Sequence, residues 1–82
     1  MKFLSVAEKW LIKKEVEIKK STFELYRYEV KKYLLPYFGR YNIFSIDDQK
    51  IQDFIKKYES RLKDSFLKNI ISLLFRILKK IK

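Results

Sequence analysis

The sequence contains no cysteine and no histidine. Without cysteine, the chain has no disulfides, no thiolate zinc site and no thiol nucleophile. Without histidine, it lacks the commonest general base and the commonest transition-metal ligand. The single glycine, Gly39, leaves no room for a glycine-rich loop that cradles phosphate groups. We therefore expect no catalytic residue, no metal site and no cofactor in these 82 residues.

Turn-forming residues and long apolar runs are also scarce. One proline and one glycine argue against a hairpin-rich β fold, which needs turn residues roughly every 8–12 positions. The longest apolar runs span five residues or fewer, so we expect no signal peptide, no membrane span and residence in the cytoplasm. Because 48% of the residues are hydrophobic, the chain is predicted to fold rather than to be disordered. Its length allows one domain, and the scarcity of turn residues favours a compact all-α fold.

Positive charge is what the sequence has in excess, with 20 basic and 10 acidic residues and a net charge of +10. A lysine- and isoleucine-rich composition can reflect a genome-wide bias, so the distribution of charge is more informative than its total. Residues 19–40 carry six basic and two acidic side chains, and residues 61–82 carry seven and one. The net charges of the other two segments, residues 1–18 and 41–60, cancel each other. This pattern indicates a directed surface for an anionic partner.

Apolar residues at helical spacing predict four helices, of which the first and third are the simplest. Helix one is predicted over residues 3–17, with a capping box of Ser5 and Glu8 as the alternative start one turn later. Helix three is predicted to begin after Asp47, whose side chain caps it, with Ile46 and Ile51 forming a hydrophobic staple. The buried faces are predicted to consist of Phe3, Val6, Ala7, Trp10 and Leu11 in helix one, and of Ile51, Phe54, Ile55 and Tyr58 in helix three.

Helix two is predicted to begin with a capping box at residues 21–24, in which Ser21 is the N-cap. Pro36 is expected to end it, because proline lacks an N–H donor and disfavours helical geometry at Leu35. Gly39 then follows, where a positive φ would be permitted. The two aromatic residues of this corner, Tyr37 and Phe38, are predicted to pack in the core.

Helix four is predicted to run from Asp64 to the end of the chain. Its apolar face consists of Leu67, Ile70, Ile71, Leu74, Ile77, Leu78 and Ile81. Its opposite face lacks acidic residues, unlike a merely solubilising face, and consists of Ser65, Lys68, Asn69, Ser72, Arg76 and Lys79. Outside both faces lie three residues that either widen the core or contact a partner: Phe66, Leu73 and Phe75.

Several motifs, taken in chain order, resemble one known family. A Ser-Thr helix start at residues 21–22 is followed by Tyr26, and then by a Leu-Pro-Tyr-Phe-Gly corner at residues 35–39. The other matching residues are Trp10, Leu11, Ile46, Asp47, Ile51, Gln52, Phe54, Ser65, Lys68, Asn69, Ile70 and Leu74. This ordered set resembles the N-terminal core-binding domain of phage-type integrases, which are tyrosine recombinases.

The resemblance implies a four-helix SAM-like orthogonal bundle that binds double-stranded DNA sequence-selectively, as the N-terminal clamp half of a site-specific recombinase. It implies that residues 1–82 are the core-binding domain and that the catalytic domain is absent from this chain. It further implies a tetramer of the full-length protein on recombining DNA sites and a monomeric isolated domain. The sequence departs from the family at Lys20 and Asp64, where proline is common, and at Phe66, where threonine is common.

The resemblance also implies that helices two and four cross the major groove of DNA, and these are the two helices in the basic segments. Free N–H groups at the start of helix two suit phosphate. Asn and Arg on helix four suit adenine and guanine edges. On helix two the expected DNA contacts are Lys19, Lys20, Ser21, Thr22, Arg27 and Lys31, with the Tyr26 hydroxyl toward a phosphate. On helix four they are Ser65 and Lys68 for the backbone, and Asn69, Ser72 and Arg76 for bases.

Two alternatives to DNA binding remain at this point. The first is a helical protein–protein interaction module whose interface is formed by Phe66, Leu73 and Phe75. The second is an amphipathic membrane-surface binder in which helix four lies on the lipid. The second is the weaker, because the apolar face of helix four is needed for the core, and we expect no membrane partner.

Overall fold

The computed structural model describes residues 1–79 of the chain and places helices at all four predicted positions. Lys80, Ile81 and Lys82 lie outside the described residues, and with them the predicted end of helix four. In chain order the elements are α1 (Phe3–Glu17), α2 (Lys20–Glu29), a π-helical turn (Val30–Leu34), α3 (Leu35–Phe38), a 3₁₀ turn (Ile43–Ser45), α4 (Asp48–Tyr58) and α5 (Asp64–Lys79).

The all-α prediction is confirmed, since residues 1–79 contain no strand beyond one isolated bridge between Lys2 and Asn42. The radius of gyration is 12.2 Å, close to the roughly 12 Å expected of a compact chain of this length. Within the same residues, no helix is both long and apolar enough to cross a membrane.

Three fully buried phenylalanines join the helices at the centre of the core. The rings of Phe3 and Phe38 are 6.1 Å apart, and those of Phe38 and Phe54 are 5.2 Å apart, which ties α1, α3 and α4 together. The prediction that the Tyr37–Phe38 corner packs in the core is therefore confirmed, with Tyr37 half-buried 5.2 Å from the Phe54 ring. All five residues predicted for the buried face of α1 are buried.

The backbone of the loop after α3 satisfies the first N–H groups of α1. The N–H of Phe3 donates to the Tyr41 carbonyl at 2.9 Å, and that of Leu4 donates to the Gly39 carbonyl at 3.2 Å. These bonds supply acceptors for donors that have none inside the helix. The start of α1 is thus a tertiary feature rather than a side-chain cap.

The predicted capping box at the start of α2 is wrong. The helix begins at Lys20, its N-cap is Lys19, and no side chain caps it. The N–H of Phe23 donates to the Lys19 carbonyl at 2.9 Å, so the helix begins two residues earlier than the box would allow. Ser21 therefore lies inside the first turn, where its side chain is exposed.

The prediction that Pro36 ends the second helix is also wrong, because the chain stays helical through Phe38. In the π turn the Leu35 N–H donates to the Val30 carbonyl, five residues back. Pro36 then occupies the first turn of α3, where a backbone N–H is not needed. The wider turn leaves room for a proline ring that would clash with the carbonyl four residues earlier in a regular α-helix.

Gly39 does not take the positive φ that the sequence permitted, since its φ is −53°. The structure requires glycine there for space. A Cβ at this position would stand 2.5 Å from the Leu35 carbonyl oxygen, a backbone atom, and contacts that short essentially never occur. The close approach accompanies the hydrogen bond from the Gly39 N–H to the same oxygen at 2.9 Å.

The predicted start of α4 is confirmed. The Asp47 carboxylate accepts a hydrogen bond from the Lys50 N–H at 3.0 Å, and this bond lowers the pKa of Asp47. Ile46 and Ile51 flank the cap and are both buried, as a hydrophobic staple requires. Of the face predicted for this helix, Ile51 and Phe54 are buried, and Ile55 and Tyr58 are half-buried.

The three aromatic and aliphatic residues left unassigned on α5 have different environments. Leu73 is only 2% exposed and belongs to the core. Phe66 is half-buried, with its ring 5.7 Å from that of Tyr33. Phe75 alone is 49% exposed. Leu73 and Phe66 therefore pack within the domain, and only Phe75 of the three is exposed enough to form a protein–protein interface.

Candidate nucleic-acid interface

A surface groove lies between α2 and α5, with a volume of about 310 Å³, and we call it the α2–α5 groove. It brings together residues from both predicted DNA-contacting helices. One hydrogen bond joins the two helices, between residues that are fifty positions apart in the chain. Its lining consists of Thr22, Leu25, Tyr26 and Glu29 from α2 and of Asn69, Ser72, Leu73 and Arg76 from α5. Five of the sequence-predicted contact residues are among them.

One hydrogen bond fixes the groove at one end. Nη1 of Arg76 donates to the Tyr26 hydroxyl at 3.0 Å, which joins α5 to α2. The Tyr26 ring lies 5.9 Å from the Trp10 ring of α1, so the tyrosine is itself held in place. Tyr26 uses one hydroxyl lone pair for this bond and keeps its own proton free to donate. The guanidinium keeps the rest of its five N–H donors for a ligand.

Glu29 lies in the α2–α5 groove and was not predicted as a site residue. It is 2% exposed, and burial raises the pKa of its carboxyl group. The sequence signal for this placement was available, because Glu29 follows Tyr26 by three residues and Thr22 by seven, on one helical face. When ionised, this carboxyl group opposes any phosphate that approaches it in the groove.

Arg27 and Lys31 lie away from the α2–α5 groove, on the side of α2 that faces α1. They share a shallow depression there with Glu8 and Glu15. The separation follows from helix geometry, because each residue turns the side chain by about 100° from its neighbour. The two acidic groups reduce the positive field around both cations, and the structure does not bring this pair together with Arg76.

The polar face predicted for α5 also divides between two grooves. Lys68 and Ser72 line a second groove, on the α4 side, whose edge carries Glu59 and Asp64. Ser72 belongs to both grooves, whereas Ser65 lines neither of them and is exposed.

The start of α2 has the exposed lysines and open N–H groups on which the phosphate prediction depends, and the contact itself stays a prediction. Lys19, Lys20 and Ser21 are exposed and Thr22 is half-buried. No side chain caps the helix, and the first-turn N–H groups have no acceptor within the helix. Free N–H groups beside two lysines favour phosphate.

The structure also contains a tyrosine–lysine pair that was not predicted from the sequence. Nζ of Lys32 donates to the Tyr28 hydroxyl at 2.9 Å and stands 5.2 Å from the centre of the Tyr28 ring. The hydrogen bond from Lys32, together with its positive charge, lowers the pKa of Tyr28, and the same hydrogen bond raises the pKa of Lys32. The four-residue spacing on a helix was the available signal. We call it the Tyr28–Lys32 pair.

One known protein family matches most of the chain. The family model described as phage integrase, N-terminal SAM-like domain, matches residues 2–59. The chain belongs to this family. The matched residues include all elements from α1 to α4, whereas α5 lies beyond them. No curated protein and no solved structure matches the chain.

The resemblance to an integrase N-terminal domain is thereby confirmed, and with it the SAM-like helical fold. Membership associates the chain with integrase and recombinase function. Within residues 1–79, no three acidic side chains are grouped so that they could hold a metal ion.

Proposed function

We propose that this domain binds duplex DNA sequence-selectively as the N-terminal clamp half of a site-specific tyrosine recombinase. The single observation that carries the proposal is the hydrogen bond from Arg76 to Tyr26. It joins the two helices that lie in the most basic segments of the chain, and it does so beside a polar groove. Family membership supplies the recombinase context.

In this proposal the α2–α5 groove faces base edges. Arg76 is tied to Tyr26 through one nitrogen, and its other donors suit the two acceptors of guanine. Asn69, in the same groove, suits the acceptor and donor of adenine. Buried Glu29 keeps phosphates away from the middle of the groove, which favours base edges there. Lys19, Lys20 and the open start of α2 hold the DNA backbone.

The strength expected of one small module is limited. Such a module buries about 600–1,000 Å² on DNA. If it neutralises about five phosphates, a fourfold rise in salt concentration weakens binding roughly 500-fold. The catalytic domain of the parent recombinase supplies a second, tethered contact that raises the overall affinity. We propose that the isolated domain is a monomer and that the parent protein assembles as a tetramer on DNA.

The proposal is tested with one variant and one matched control. A preferred duplex is first selected from a randomised pool, and its affinity is then measured by fluorescence anisotropy at about 50 mM salt. Arg76→Gln should weaken binding to that duplex about tenfold or more, because it removes a base contact. Arg61→Gln removes the same charge from the exposed loop before α5 and should have little effect.

Two results would count against the proposal. If the wild-type chain fails to bind any duplex at low salt, DNA binding is wrong. If it binds but the pool shows no enrichment, the domain contacts only the backbone and selectivity is wrong. Circular dichroism of both variants checks that a loss of affinity does not come from unfolding.

A further inference from the structure

The Tyr28–Lys32 pair holds a lysine ammonium in a defined position on the surface. Nζ of Lys32 is fixed by the 2.9 Å hydrogen bond to the Tyr28 hydroxyl, and it stands 5.8 Å from the centre of the Tyr33 ring as well as 5.2 Å from that of Tyr28. Tyr28 is 48% exposed, so the pair is open to a ligand. Most of the rotamer freedom that a lysine loses on binding is therefore already lost here.

The pair keeps several hydrogen-bond donors for a ligand. The ammonium has three N–H groups and gives one to Tyr28, which leaves two. The Tyr28 hydroxyl accepts that bond, so its own proton remains available. Three donors and one positive charge close together match the oxygen atoms of a phosphate group.

The pair lies at one end of the α2–α5 groove. Tyr28 follows the groove residue Leu25 by one helical turn. Tyr33 places the pair relative to α5, because its ring is 6.3 Å from that of Tyr28 and 5.7 Å from that of Phe66. Phe66 is one turn before the groove residue Asn69. The pair is therefore at the end of the groove near the start of α5.

The hydrogen bond between Arg76 and Tyr26 marks the opposite end, near the end of α5. Each end of the groove thus carries a cation that donates to a tyrosine hydroxyl.

We propose that the Tyr28–Lys32 pair is a further phosphate-binding site, and that its ligand is a backbone phosphate of the same duplex whose bases face the α2–α5 groove. The inference rests on the proposed DNA-binding function and assigns a contact to two residues that the family resemblance did not point to. A duplex is the occupant because one cation and one hydroxyl hold a free phosphate ion weakly, whereas a duplex engages both ends of the groove at once.

The test compares two lysines of the 82-residue chain. Lys32→Gln should reduce the slope of log affinity against log salt by about 0.9, and should weaken duplex binding about eightfold at 0.1 M salt. Lys57→Gln is the matched control, because Lys57 also stands 5.5 Å from two tyrosine rings but lies on α4. Both variants lower the net charge by one, so a difference between them reports a local contact.

A second variant separates the hydroxyl from the charge. Tyr28→Phe keeps the ring beside Lys32 and removes only the hydroxyl group. It should weaken duplex binding about tenfold or more, the effect of one lost hydrogen bond to a charged phosphate, while the salt slope stays unchanged. Inorganic phosphate, added at constant ionic strength, should not compete with the duplex if the site takes only a tethered backbone phosphate.

The outcomes distinguish this inference from the proposed function. If Lys32→Gln and Lys57→Gln behave alike while Arg76→Gln weakens binding, the phosphate site is wrong and DNA binding stands. If the wild-type chain binds no duplex, both are wrong. Competition by inorganic phosphate would overturn the duplex as the natural occupant. Both residues are exposed, and a melting curve for each variant confirms folding.

Discussion

At the residue scale, we propose that Tyr26 influences DNA binding through Arg76. Its hydroxyl accepts the hydrogen bond that orients the guanidinium, and its ring packs beside Trp10. A flexible arginine would still attract phosphate, but it would discriminate less well between base pairs. Tyr26 is therefore a positioning residue, and its effect should be on selectivity rather than on overall affinity.

We predict that Tyr26→Phe lowers the ratio of affinities for the selected duplex and a random duplex about fivefold, the equivalent of one hydrogen bond. The affinity for the random duplex should stay the same. Competition binding with both duplexes measures the ratio. Tyr41→Phe, on the loop after α3, is the control. Equal losses on both duplexes would show that Tyr26 supports the fold or a phosphate contact instead.

Glu29 is the residue whose ionisation works against the fold. Burial raises the pKa of its carboxyl group above the unfolded value, so the folded state binds the proton more tightly. The contribution of this tighter proton binding to the free energy of unfolding is fully present below the unfolded pKa of about 4.3. It is lost as the pH rises through the higher folded pKa. Ionisation of Glu29 therefore costs the folded domain stability as the pH rises.

We predict that Glu29→Gln raises the melting temperature at pH 7, and that its advantage over the wild type shrinks as the pH falls toward 4. It should also strengthen binding to random duplexes, because the groove loses a negative charge. Thermal melts across this pH range measure the first effect. Glu24→Gln, at an exposed site on α2, should leave the melting temperature nearly unchanged. An advantage independent of pH would contradict the electrostatic explanation.

At the element scale, the connection from α2 to α3 shows what local rules leave out. Proline after a run of helical residues predicts a helix end, and it does so through local sterics. Here the π turn removes the conflict, because the Leu35 N–H reaches the Val30 carbonyl. Val30 and Leu34 are fully buried in the same turn. We infer that core packing stabilises the wider turn.

The close contact at Gly39 gives a test of that connection. We predict that Gly39→Ala destabilises the domain by about 2 kcal/mol, because its Cβ would lie 2.5 Å from the Leu35 carbonyl oxygen. Urea denaturation measures the change. Arg40→Ala, at the next and exposed position, is the control. Unchanged stability of Gly39→Ala would mean that the backbone relaxes without cost.

Local signals were sufficient where the start of an element depends on its own residues. The cap and staple of α4 were predicted because Asp47 reaches a backbone N–H only three residues away. The cap predicted for α2 was wrong because the helix extends backward to Lys20 instead. A capping pattern in the sequence does not reveal whether the backbone before it is free to stay helical.

At the scale of the whole molecule, the net charge of +10 is not one continuous surface. Arg27 and Lys31 face Glu8 and Glu15, and Lys68 lies near Glu59 and Asp64. The electric field around the domain then depends on how the helices are rotated, as well as on the number of lysines. Candidate contacts chosen from a helical face alone combine residues that the fold separates.

The sequence by itself determined the helical class, the family, the buried face of α1 and the start of α4, because these depend on spacings within one segment. Only the tertiary structure decided that Tyr26 and Arg76 meet, that Glu29 lies between the two helices, and that Arg27 does not share their groove. The physical reason is that the rotation of α2 against α5 is set by a shared core and by the π turn that follows α2. Neither is encoded in the periodicity of one helix.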